Sequence, residues 1–565
     1  MSSQAVAIQQ IQPEPKFDPE EFFESAIAVF QKHYLSENFG LFNIASSFAK
    51  DSTLTTLIAI EAVKRLCEKG LATKPLLISN ANTSVESPLV DKLVAEDQRN
   101  IAAYAKKHSL PIHLLTVQPP LNASWQVKII GGLAITPLPG TNSWCSDDWK
   151  RLPLQRGVKN FKAERGLEGE VLTCIGTRFN ESHARGVAMN RRAESATEPR
   201  LTHDGEWILS PIAHLTSDQV WELLSLIKAK LLPGAYSDFD KLFETYLTAG
   251  GSSCVLVADN ELNRMGGGCS GSRLGCWACT KVKEDQSMLN ALNEHPEYKP
   301  LNDIRNWLAA ITFDFEKRTS VRRSLKDGQL VLSPDGYSAE VCESLLAYCL
   351  TADQIEKERA DALGQSPAFQ IISLESLIAI DFYWGLYGLT SPFKAWDILE
   401  EIQKGARFYP TPTTPAPRKP SPTPVVLQVG DWVNGEFDGL NYEMSGLRDP
   451  LLEAFTLDSC GAMTKQLQNG KTVLDVDSAN SFNVDINSET SLLFFEFQLD
   501  YLREKTKELG FNSTYAVQQY LESDVVQYRN LSQLDEILKR TAWRERNGFS
   551  RSQAHTQNNP QKEAA

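Results

Sequence analysis

The sequence predicts an α/β protein with a doubly wound, mostly parallel sheet. Short apolar runs with the composition of buried strands alternate with longer segments whose apolar residues recur at helical spacing. Each strand–helix unit is about 30 residues long, as in crossovers between parallel strands. Because ligands of such sheets bind at the carboxyl ends of the strands, the loops that follow the strands are the candidate functional segments.

The predicted elements follow in order along the chain. Asp18 and Pro19 open a first helix, because Asp accepts hydrogen bonds from free N–H groups and Pro suits the first helical turn. The predicted elements after it are residues 39–47 (strand), 54–66 (helix), 74–80 (strand), 89–109 (helix), 110–117 (strand) and 170–178 (strand).

A chain of 565 residues is too long for one compact core, so several domains are expected. Residues 410–424 contain seven prolines, which predicts a stiff, exposed linker. The expected segments are a disordered tail (1–17), the α/β domain (18–250), a cysteine-rich loop (251–290), a helical extension (291–408), the proline-rich linker (409–424), a separate C-terminal α-rich segment (425–548) and a second disordered tail (549–565).

The composition narrows the class of protein. No apolar run is long enough to span a bilayer, and the first residues lack the pattern of a secretory signal. A cytoplasmic location without a membrane partner is therefore expected. The net charge of −14 argues against broad, unassisted binding of nucleic acid. Any DNA would meet a local basic patch, for which residues 316–326 and 539–551 are candidates, or would be delivered by a partner.

The stretch SSFAKDS, residues 46–52, has the features of a phosphate-binding loop. It lies between a predicted strand and a predicted helix, so its N–H groups and the positive end of the helix dipole would meet an anion. Lys50 adds a positive charge. Hydroxyl donors are supplied by Ser46, Ser47 and Ser52. An ordinary strand-to-helix turn uses the same residue types, and Phe48 and Ala49 stand where glycines are expected.

Two further stretches carry candidate residues. WCSDDWKRLPL, residues 144–154, places Cys145 beside Lys and Arg side chains, which would lower the pKa of its thiol as a metal ligand or sulfur carrier requires. A buried structural cysteine is the alternative interpretation. GTRFNESHAR, residues 176–185, contains Arg178 and Arg185, whose guanidinium groups can each donate two hydrogen bonds to phosphate oxygens. Glu181 would orient one of the two arginines.

Ten cysteines in a cytosolic chain indicate metal or redox chemistry rather than disulfides. Cys269, Cys276 and Cys279 are spaced C-x6-C-x2-C among glycines, and thiolates at such spacing hold either zinc or an iron–sulfur cluster. Iron–sulfur is favoured, because four-cysteine zinc sites more often show two CxxC pairs. The fourth ligand is Cys145 or Cys254, and Cys145 is favoured because it would bring the cluster next to the nucleotide.

Taken together, the motifs resemble one family. SSFAKDS is similar to the SGGKDS loop of ATP pyrophosphatases and to the SSF loop of sulfonucleotide (PAPS and APS) reductases, and WCSDDWKRLP resembles a segment of PAPS-reductase-like enzymes. SGSRLGCWACTKVKEDQSM, residues 270–288, resembles the NSRFGCWVCTVVxKDKSM signature of the DndC family of DNA phosphorothioation proteins. The motif order agrees over residues 20–405. The related SspD proteins share this ancestry, and the motifs do not separate the two.

The resemblance implies an adenine nucleotide α-hydrolase-like fold and a reaction. DndC-like proteins cleave ATP to AMP and pyrophosphate, with Mg²⁺ expected at the phosphates, and they carry a 4Fe–4S cluster. With a cysteine desulfurase as sulfur donor and other phosphorothioation proteins, they help to replace a non-bridging phosphate oxygen of DNA by sulfur in a modification–restriction defence system. DNA would then be the substrate, brought to this acidic chain with the help of partners.

The residues expected to act follow from the motifs and the resemblance. The ATP site would comprise Ser46, Ser47, Phe48, Ala49, Lys50, Asp51, Ser52, Gly176, Arg178, Glu181 and Arg185. The catalytic residues would be Lys50, Asp51, Arg178 and Cys145. The cluster ligands would be Cys145, Cys269, Cys276 and Cys279, with Cys254 as the alternative fourth ligand.

Three other functions compete with this interpretation. A sulfonucleotide reductase would explain Ser47 and Phe48, but it would need a redox-active cysteine near the C-terminus, where only Cys460 is found. A tRNA thiolase would also use ATP and a cluster. A non-catalytic nucleotide-sensing scaffold would explain the missing glycines. Release of pyrophosphate from ATP discriminates, because neither a reductase nor a scaffold should produce it.

Overall fold

The computed structural model describes residues 17–140, 144–181, 183–250, 274–319, 334–419, 485–510 and 512–528, together with short strands and helical residues elsewhere between 323 and 542. Two predicted cluster ligands, Cys254 and Cys269, lie outside the described residues. So do both predicted disordered tails, apart from Phe17, and most of the basic segment 539–551.

A six-stranded sheet forms the centre of the first half of the chain. Its strands are β1 (Phe39–Ala45), β2 (Leu76–Ala81), β3 (Ile112–Val117), β4 (Glu170–Ile175), β5 (Arg200–Leu201) and β6 (Trp207–Leu209). They are ordered β3-β2-β1-β4-β6-β5. Neighbouring strands run parallel except β5, which pairs antiparallel with β6. The predicted mostly parallel α/β sheet is confirmed.

Helices cover both faces of this sheet. Those of the first half are α1 (Pro19–Leu35), α2 (Lys50–Glu68), α3 (Pro88–His108), α4 (Trp144–Ser146), α5 (Leu152–Glu164), α6 (His183–Arg191), α7 (Ser217–Lys228) and α8 (Asp240–Gly250). Phe42 and Ile44 of β1 belong to one buried cluster with α1, α2 and α7. Leu41 points to the other face, where Val158 and Phe161 of α5 cover the sheet. The sheet is therefore doubly wound, as predicted.

The strand order places a crevice between β1 and β4. The chain moves from β1 outward to β2 and β3, and then returns to add β4 and β6 on the other side of β1. The loops that leave the carboxyl ends of β1 and β4 therefore turn toward opposite faces, which opens the sheet between them. Both predicted phosphate-contacting stretches, residues 46–52 and 176–185, begin at this point.

Helix α2 begins at Lys50, earlier than the predicted start at Leu54. The prediction counted apolar residues at helical spacing, and Lys50, Asp51, Ser52 and Thr53 are polar. These polar residues form the first turn of α2, which lies at the crevice. The apolar pattern therefore could not reveal that the helix begins there.

A helical region follows the cysteine-rich loop. Its helices are α9 (Gln286–Ala291), α10 (Lys299–Ala310), α11 (Ala339–Leu363), α12 (Leu374–Tyr387) and α13 (Lys394–Gln403). In the described part beyond the proline-rich stretch, further helices join it, namely α14 (Ser488–Phe497), α15 (Leu499–Glu508) and α16 (Ser513–Glu522). Phe494 and Val517 of these last helices share one buried cluster with Phe382 and Trp396.

Hydrogen bonds and ion pairs also join the C-terminal helices to the helical extension. Trp396 Nε1 donates to the Tyr520 hydroxyl at 2.6 Å, and that hydroxyl donates to Asp381 at 2.8 Å. Arg503 pairs with Glu400 at 2.7 Å and also with Asp397. The predicted domain boundaries stay predictions, but these buried contacts cross the expected boundary between residues 291–408 and 425–548.

Short strands complete the described chain. They are β7 (Arg318–Thr319), β8 (Arg323–Lys326), β9 (Gln329–Leu332), β10 (Gly336–Tyr337), β11 (Val425–Gln428), β12 (Asp431–Val433), β13 (Glu436–Asp438), β14 (Thr464–Gln466), β15 (Thr472–Leu474), β16 (Asp485–Ile486) and β17 (Val526–Gln527). Among the residues that the structure describes, there is no helix with both the length and the apolar character needed to cross a bilayer.

One residue of the candidate basic segment 316–326 makes contacts within the protein. Arg318 is only 9% exposed, donates a hydrogen bond to the Thr312 carbonyl and lies over the Phe315 ring. Contact of this segment with DNA stays a prediction.

Candidate functional site

The loop after β1 presents backbone N–H groups to the crevice. Helix α2 is 19 residues long and its N-cap is Ala49, whose side chain cannot accept a hydrogen bond. The N–H of Lys50 donates to the Tyr246 hydroxyl at 3.2 Å. Within the described residues, the N–H groups of Asp51 and Ser52 have no acceptor. Free N–H groups at the positive end of a long helix form a site for an anion.

Phe48 adopts the conformation that a glycine would have in this loop. Its φ is +56°, in the left-handed region, and its ring is fully buried. Its N–H donates to Ser46 Oγ at 3.2 Å, and its carbonyl accepts from Thr53 Oγ1 at 3.1 Å. The replacement of glycine by Phe therefore preserves a left-handed turn, and burial of the ring holds the strained backbone in place.

The three serines of the loop differ in their surroundings. Ser46 is 3% exposed, and its Oγ also accepts from Thr56 at 3.3 Å. Ser47 Oγ and Ser52 Oγ lie 3.2 Å apart, and Ser52 donates to the Ala49 carbonyl at 3.0 Å. Ser46 therefore supports the loop from inside, whereas Ser47 and Ser52 lie at the first turn of α2.

Lys50, Asp51 and Arg178 form one charged group at the crevice. Arg178 is 4% exposed, and its Nε and Nη2 donate to the two Asp51 oxygens at 2.8 and 3.3 Å. Lys50 Nζ donates to Asp51 Oδ1 at 2.8 Å. Burial lowers the pKa of Lys50, and the Asp51 carboxylate opposes that shift. Two cations share one carboxylate, so these three side chains together carry a net positive charge.

Gly176 allows the loop after β4 to approach α2. A Cβ atom at Gly176 would lie 2.8 Å from the backbone C and O of Asp51 and from the N of Ser52. Side chains do not tolerate contacts that close, so only glycine permits the two loops to meet. This close approach is what brings Arg178 against Asp51.

Glu181 and Arg185 lie farther out in the same stretch. Arg185 Nη1 donates to Glu181 at 2.5 Å across one helical turn, and both side chains are partly exposed. Their pairing matches the prediction that Glu181 orients an arginine. Their contact with a nucleotide stays a prediction.

A second group of residues surrounds the cysteines. Cys276 forms an isolated bridge with Glu86, and the next residue, Trp277, donates its N–H to the Val85 carbonyl at 2.9 Å. Thr83 Oγ1 lies 3.8 Å from the Cys276 sulfur. The loop after β2 therefore holds the CxxC segment, although the two are about 190 residues apart in sequence.

Arg305 fixes the chain beyond Cys279. It is 1% exposed and donates to the carbonyls of Cys279 and Lys283, each at 2.9 Å. Its guanidinium, supplied by α10, thus holds the segment that carries Cys276 and Cys279.

Cys145 faces the same region from a different element. It lies in α4, immediately before a π-helical turn at Asp147–Arg151, an irregularity often found at functional sites. Burial raises the pKa of its thiol, and the charge of Cys279 raises it further. The predicted lowering of this pKa is therefore wrong for the chain without a metal, because desolvation outweighs the nearby Lys281.

Lys150 lies among Glu86 and the cysteines. Its ammonium pairs with Glu86 at 2.8 Å. Burial acts to lower the pKa of Lys150, but the charges of Glu86, Cys276 and Cys145 raise it overall. Cys145, Cys276 and Cys279 therefore lie close enough to influence each other, on the same side of the molecule as Glu86.

These thiols are chemically suited to a metal cluster. Burial raises the pKa of Cys276 to about 12, so its thiolate needs a cation to form. In the part of the chain that the structure describes, no three Cys, His, Asp or Glu side chains converge closely enough to hold a metal ion. The predicted set of four ligands stays a prediction, because Cys269 and Cys254 lie outside that part.

Sequence reasoning missed Tyr246, Glu86 and Arg305. Tyr246 reaches the loop from α8, 196 residues away from Lys50, and no local pattern marks it. Glu86 lies in the loop after β2, and its carboxylate could have been weighed as a partner for Lys150.

The cysteines outside the motifs, Cys67, Cys174, Cys342, Cys349 and Cys460, are predicted by the sequence to be core residues. Cys174, Cys342 and Cys349 are buried, Cys67 is only partly buried, and Cys460 lies outside the described residues.

Comparisons with known proteins give few constraints. No family model and no curated protein matches the chain. Similar solved structures include the FMN adenylyltransferase of Candida glabrata, at 11% identity and a TM-score of 0.22, over 39% of this chain and 62% of that one. The U34-tRNA thiolase NcsA of Methanococcus maripaludis, with its 4Fe–4S cluster, is 14% identical with a TM-score of 0.25, over 45% of this chain and 77% of that one.

The NMN synthetase of Francisella tularensis is 12% identical with a TM-score of 0.24, over 51% of this chain and 97% of that one. Likenesses at these TM-scores carry no argument about ligands or activity. The fold class rests on the sheet of this chain itself.

Proposed function

We propose that the chain is an ATP pyrophosphatase with an iron–sulfur cluster, acting in the incorporation of sulfur into the DNA backbone. The observation that carries the proposal is the meeting of three features at the β1/β4 crevice. They are the open N-terminus of α2, the cations Lys50 and Arg178, and the close approach that Gly176 permits. This combination suits a polyphosphate at the switch point of a parallel sheet.

The residues have distinct roles in this reaction. The N–H groups of Asp51 and Ser52 bind phosphate oxygens, and Lys50 and Arg178 stabilise the charge that develops on the departing pyrophosphate. Asp51 is the candidate ligand for Mg²⁺, since carboxylate oxygen is a preferred ligand of that ion. An oxygen of the DNA phosphodiester attacks the α-phosphorus, and the bond to the β-phosphate oxygen breaks.

The adenylylated phosphodiester then has a good leaving group. The desulfurase supplies sulfur as a persulfide, from which a thiol reductant that donates two electrons releases sulfide. Sulfide attacks the DNA phosphorus, and AMP departs with the former phosphate oxygen. The phosphodiester keeps one sulfur in place of one oxygen, so atoms balance with ATP and sulfide consumed and AMP and pyrophosphate released. The involvement of DNA and of a desulfurase rests on the family resemblance.

The cysteines that would hold the cluster are Cys145, Cys269, Cys276 and Cys279. When bound, an iron–sulfur cluster supplies a carrier for sulfur or a centre for electron transfer. Other residues of the chain position these cysteines. Arg305 donates to the Cys279 carbonyl, Glu86 forms a backbone β-bridge with Cys276, and Lys150 balances the negative charge.

Pyrophosphate release by the anaerobically purified full chain tests the proposal, measured with and without DNA and sulfide. We expect ATP-dependent formation of AMP and pyrophosphate that Lys50→Met abolishes. Lys69→Met, an exposed lysine at the other end of α2, is the matched control and should retain the activity. ADP and orthophosphate as the only products, or no ATP binding at all, would contradict the proposed reaction.

Iron and sulfide content tests the cluster separately. We expect the chain to contain iron and labile sulfide that Cys145→Ser removes and Cys254→Ser retains. The reverse pattern would move the fourth ligand to Cys254. One zinc per chain and no iron would exclude the cluster.

A further inference from the structure

Tyr246 brings a buried hydroxyl to the start of α2. The side chain is 7% exposed, and its hydroxyl accepts the Lys50 N–H at 3.2 Å. The Thr53 N–H donates to the Ala49 carbonyl within the helix, whereas the Lys50 N–H is satisfied by a side chain that comes from α8. A side chain that reaches so far to one N–H group, beside two unsatisfied ones, suggests a role at the anion site.

The position of the ring is fixed. Trp221 packs edge-on against it, with ring centroids 5.0 Å apart and an interplanar angle of 87°. Tyr246 also belongs to the buried cluster beneath α2 and α7. The hydroxyl therefore cannot swing away easily when a ligand enters the crevice.

The hydroxyl proton is available to a ligand. The oxygen already accepts from Lys50, and no acceptor for its own proton is found among the described residues. The charges of Asp51, Arg178 and Glu181 all act on this hydroxyl, so it lies at the charged group of the crevice. Burial raises the pKa of Tyr246, which keeps the proton on the oxygen at neutral pH.

We propose that Tyr246 is a phosphate-binding residue, whose hydroxyl accepts the Lys50 N–H and donates its proton to a phosphate oxygen of the bound nucleotide. This inference rests on the proposed ATP site and adds to it a ligand contact from outside the motif stretches. One hydroxyl thereby fixes the loop and contacts the anion. The phosphate group must lie at the first turn of α2, within reach of both Lys50 and Tyr246.

Tyr246→Phe removes the hydroxyl and keeps the ring. Tyr34→Phe is the matched control, because Tyr34 is also buried and its hydroxyl also accepts a lysine N–H, that of Lys74 at 3.1 Å, away from the crevice. Binding of ATP and of inorganic pyrophosphate to the full chain should be measured by calorimetry for the wild type and both variants, with circular dichroism as a check of folding.

We expect Tyr246→Phe to weaken binding of both ligands roughly three- to tenfold, the range for one hydrogen bond, and Tyr34→Phe to leave both affinities unchanged. Unchanged or tighter binding by Tyr246→Phe would overturn the inference while ATP binding itself stands. A wild-type chain that binds neither ligand would overturn the proposed ATP site. If Tyr246→Phe does not fold, Tyr246→Trp replaces the hydroxyl by a ring N–H as the hydrogen-bond donor. Tyr246→Ala removes the donor altogether, and full retention of affinity in a folded Tyr246→Ala chain would also overturn the proposed role.

Discussion

Arg178 and Asp51 form a two-point ion pair across the crevice of the sheet, with donor–acceptor distances of 2.8 and 3.3 Å. The pair joins the loop after β4 to the first turn of α2, and Arg178 also donates to the Leu215 carbonyl at 3.3 Å. A planar guanidinium fits a carboxylate at two points, which an ammonium cannot do. The geometry of the site therefore depends on arginine rather than on positive charge alone.

Arg178→Lys should lower the free energy of unfolding by about 1–3 kcal/mol, because a buried carboxylate contact and the bond to Leu215 are lost. Arg185→Lys is the matched control from the same motif. Its partly exposed pair with Glu181 should contribute less than about 1 kcal/mol. Urea denaturation of the two variants measures the difference. Equal losses would show that Arg178 is not the structural link described here.

Gly176→Ala should separate the two loops of the crevice. Its Cβ atom would clash with the Asp51 backbone at 2.8 Å, and overpacking of this kind lowers stability by about 1–3 kcal/mol. Gly385→Ala is the control, because the added Cβ would meet only the end of the Val517 side chain, at 3.3 Å. ATP affinity should fall in the first variant and not in the second. Retained affinity in Gly176→Ala would mean that the close approach is unimportant.

Phe48→Gly should destabilise the chain although glycine suits the backbone. Loss of a fully buried ring reduces stability by about 3–5 kcal/mol, and relief of the left-handed strain returns about 1 kcal/mol. Phe48→Ala removes the ring and keeps the strain, so it should be less stable than Phe48→Gly by about 1 kcal/mol. Thermal or urea unfolding compares the three chains. A glycine variant as stable as the wild type would contradict the role of the ring.

Much of this architecture follows from the sequence, because strands and strand-end motifs are local. The predicted strand at 170–178 is present but ends earlier, at Ile175, so that Gly176 and Arg178 follow it at the crevice, and β1 leads into the Lys50 turn as expected. The φ of Phe48 was not predictable, since propensity favours glycine there and only the surrounding core makes the ring fit. Contacts such as that of Tyr246 with Lys50 join distant segments of the chain, and the spacing of residues along the sequence does not predict them.

Asp381 should make stability depend on pH. Burial raises the pKa of its carboxyl to about 7 from 3.8, although hydrogen bonds from Ala395 and Tyr520 lower it. Because the folded value lies above the unfolded one, this stabilising contribution is complete below about pH 4 and is lost as the pH rises through about 7. Asp381→Asn, which stays neutral, should therefore gain about 2–3 kcal/mol relative to the wild type between pH 5 and pH 8.

The control for that comparison is Asp361→Asn, at an exposed position of α11. Its stability difference from the wild type should be the same at pH 5 and at pH 8. Urea denaturation at both pH values gives the two differences. A pH-independent difference for Asp381→Asn would show that the Tyr520–Asp381 hydrogen bond already keeps the carboxylate charged in the folded chain.

The packing of the C-terminal helices against the helical extension has a consequence for synthesis on the ribosome. Trp396 and Phe382 are made first, and their covering residues, Phe494 and Tyr520, follow about 100 to 140 residues later in the sequence. At translation rates of about 5–20 residues per second, that apolar surface stays uncovered for roughly 5–30 s in the nascent chain. Chaperones that bind exposed aromatic surface have that interval in which to act, and messages truncated before the last helices would release a chain that aggregates.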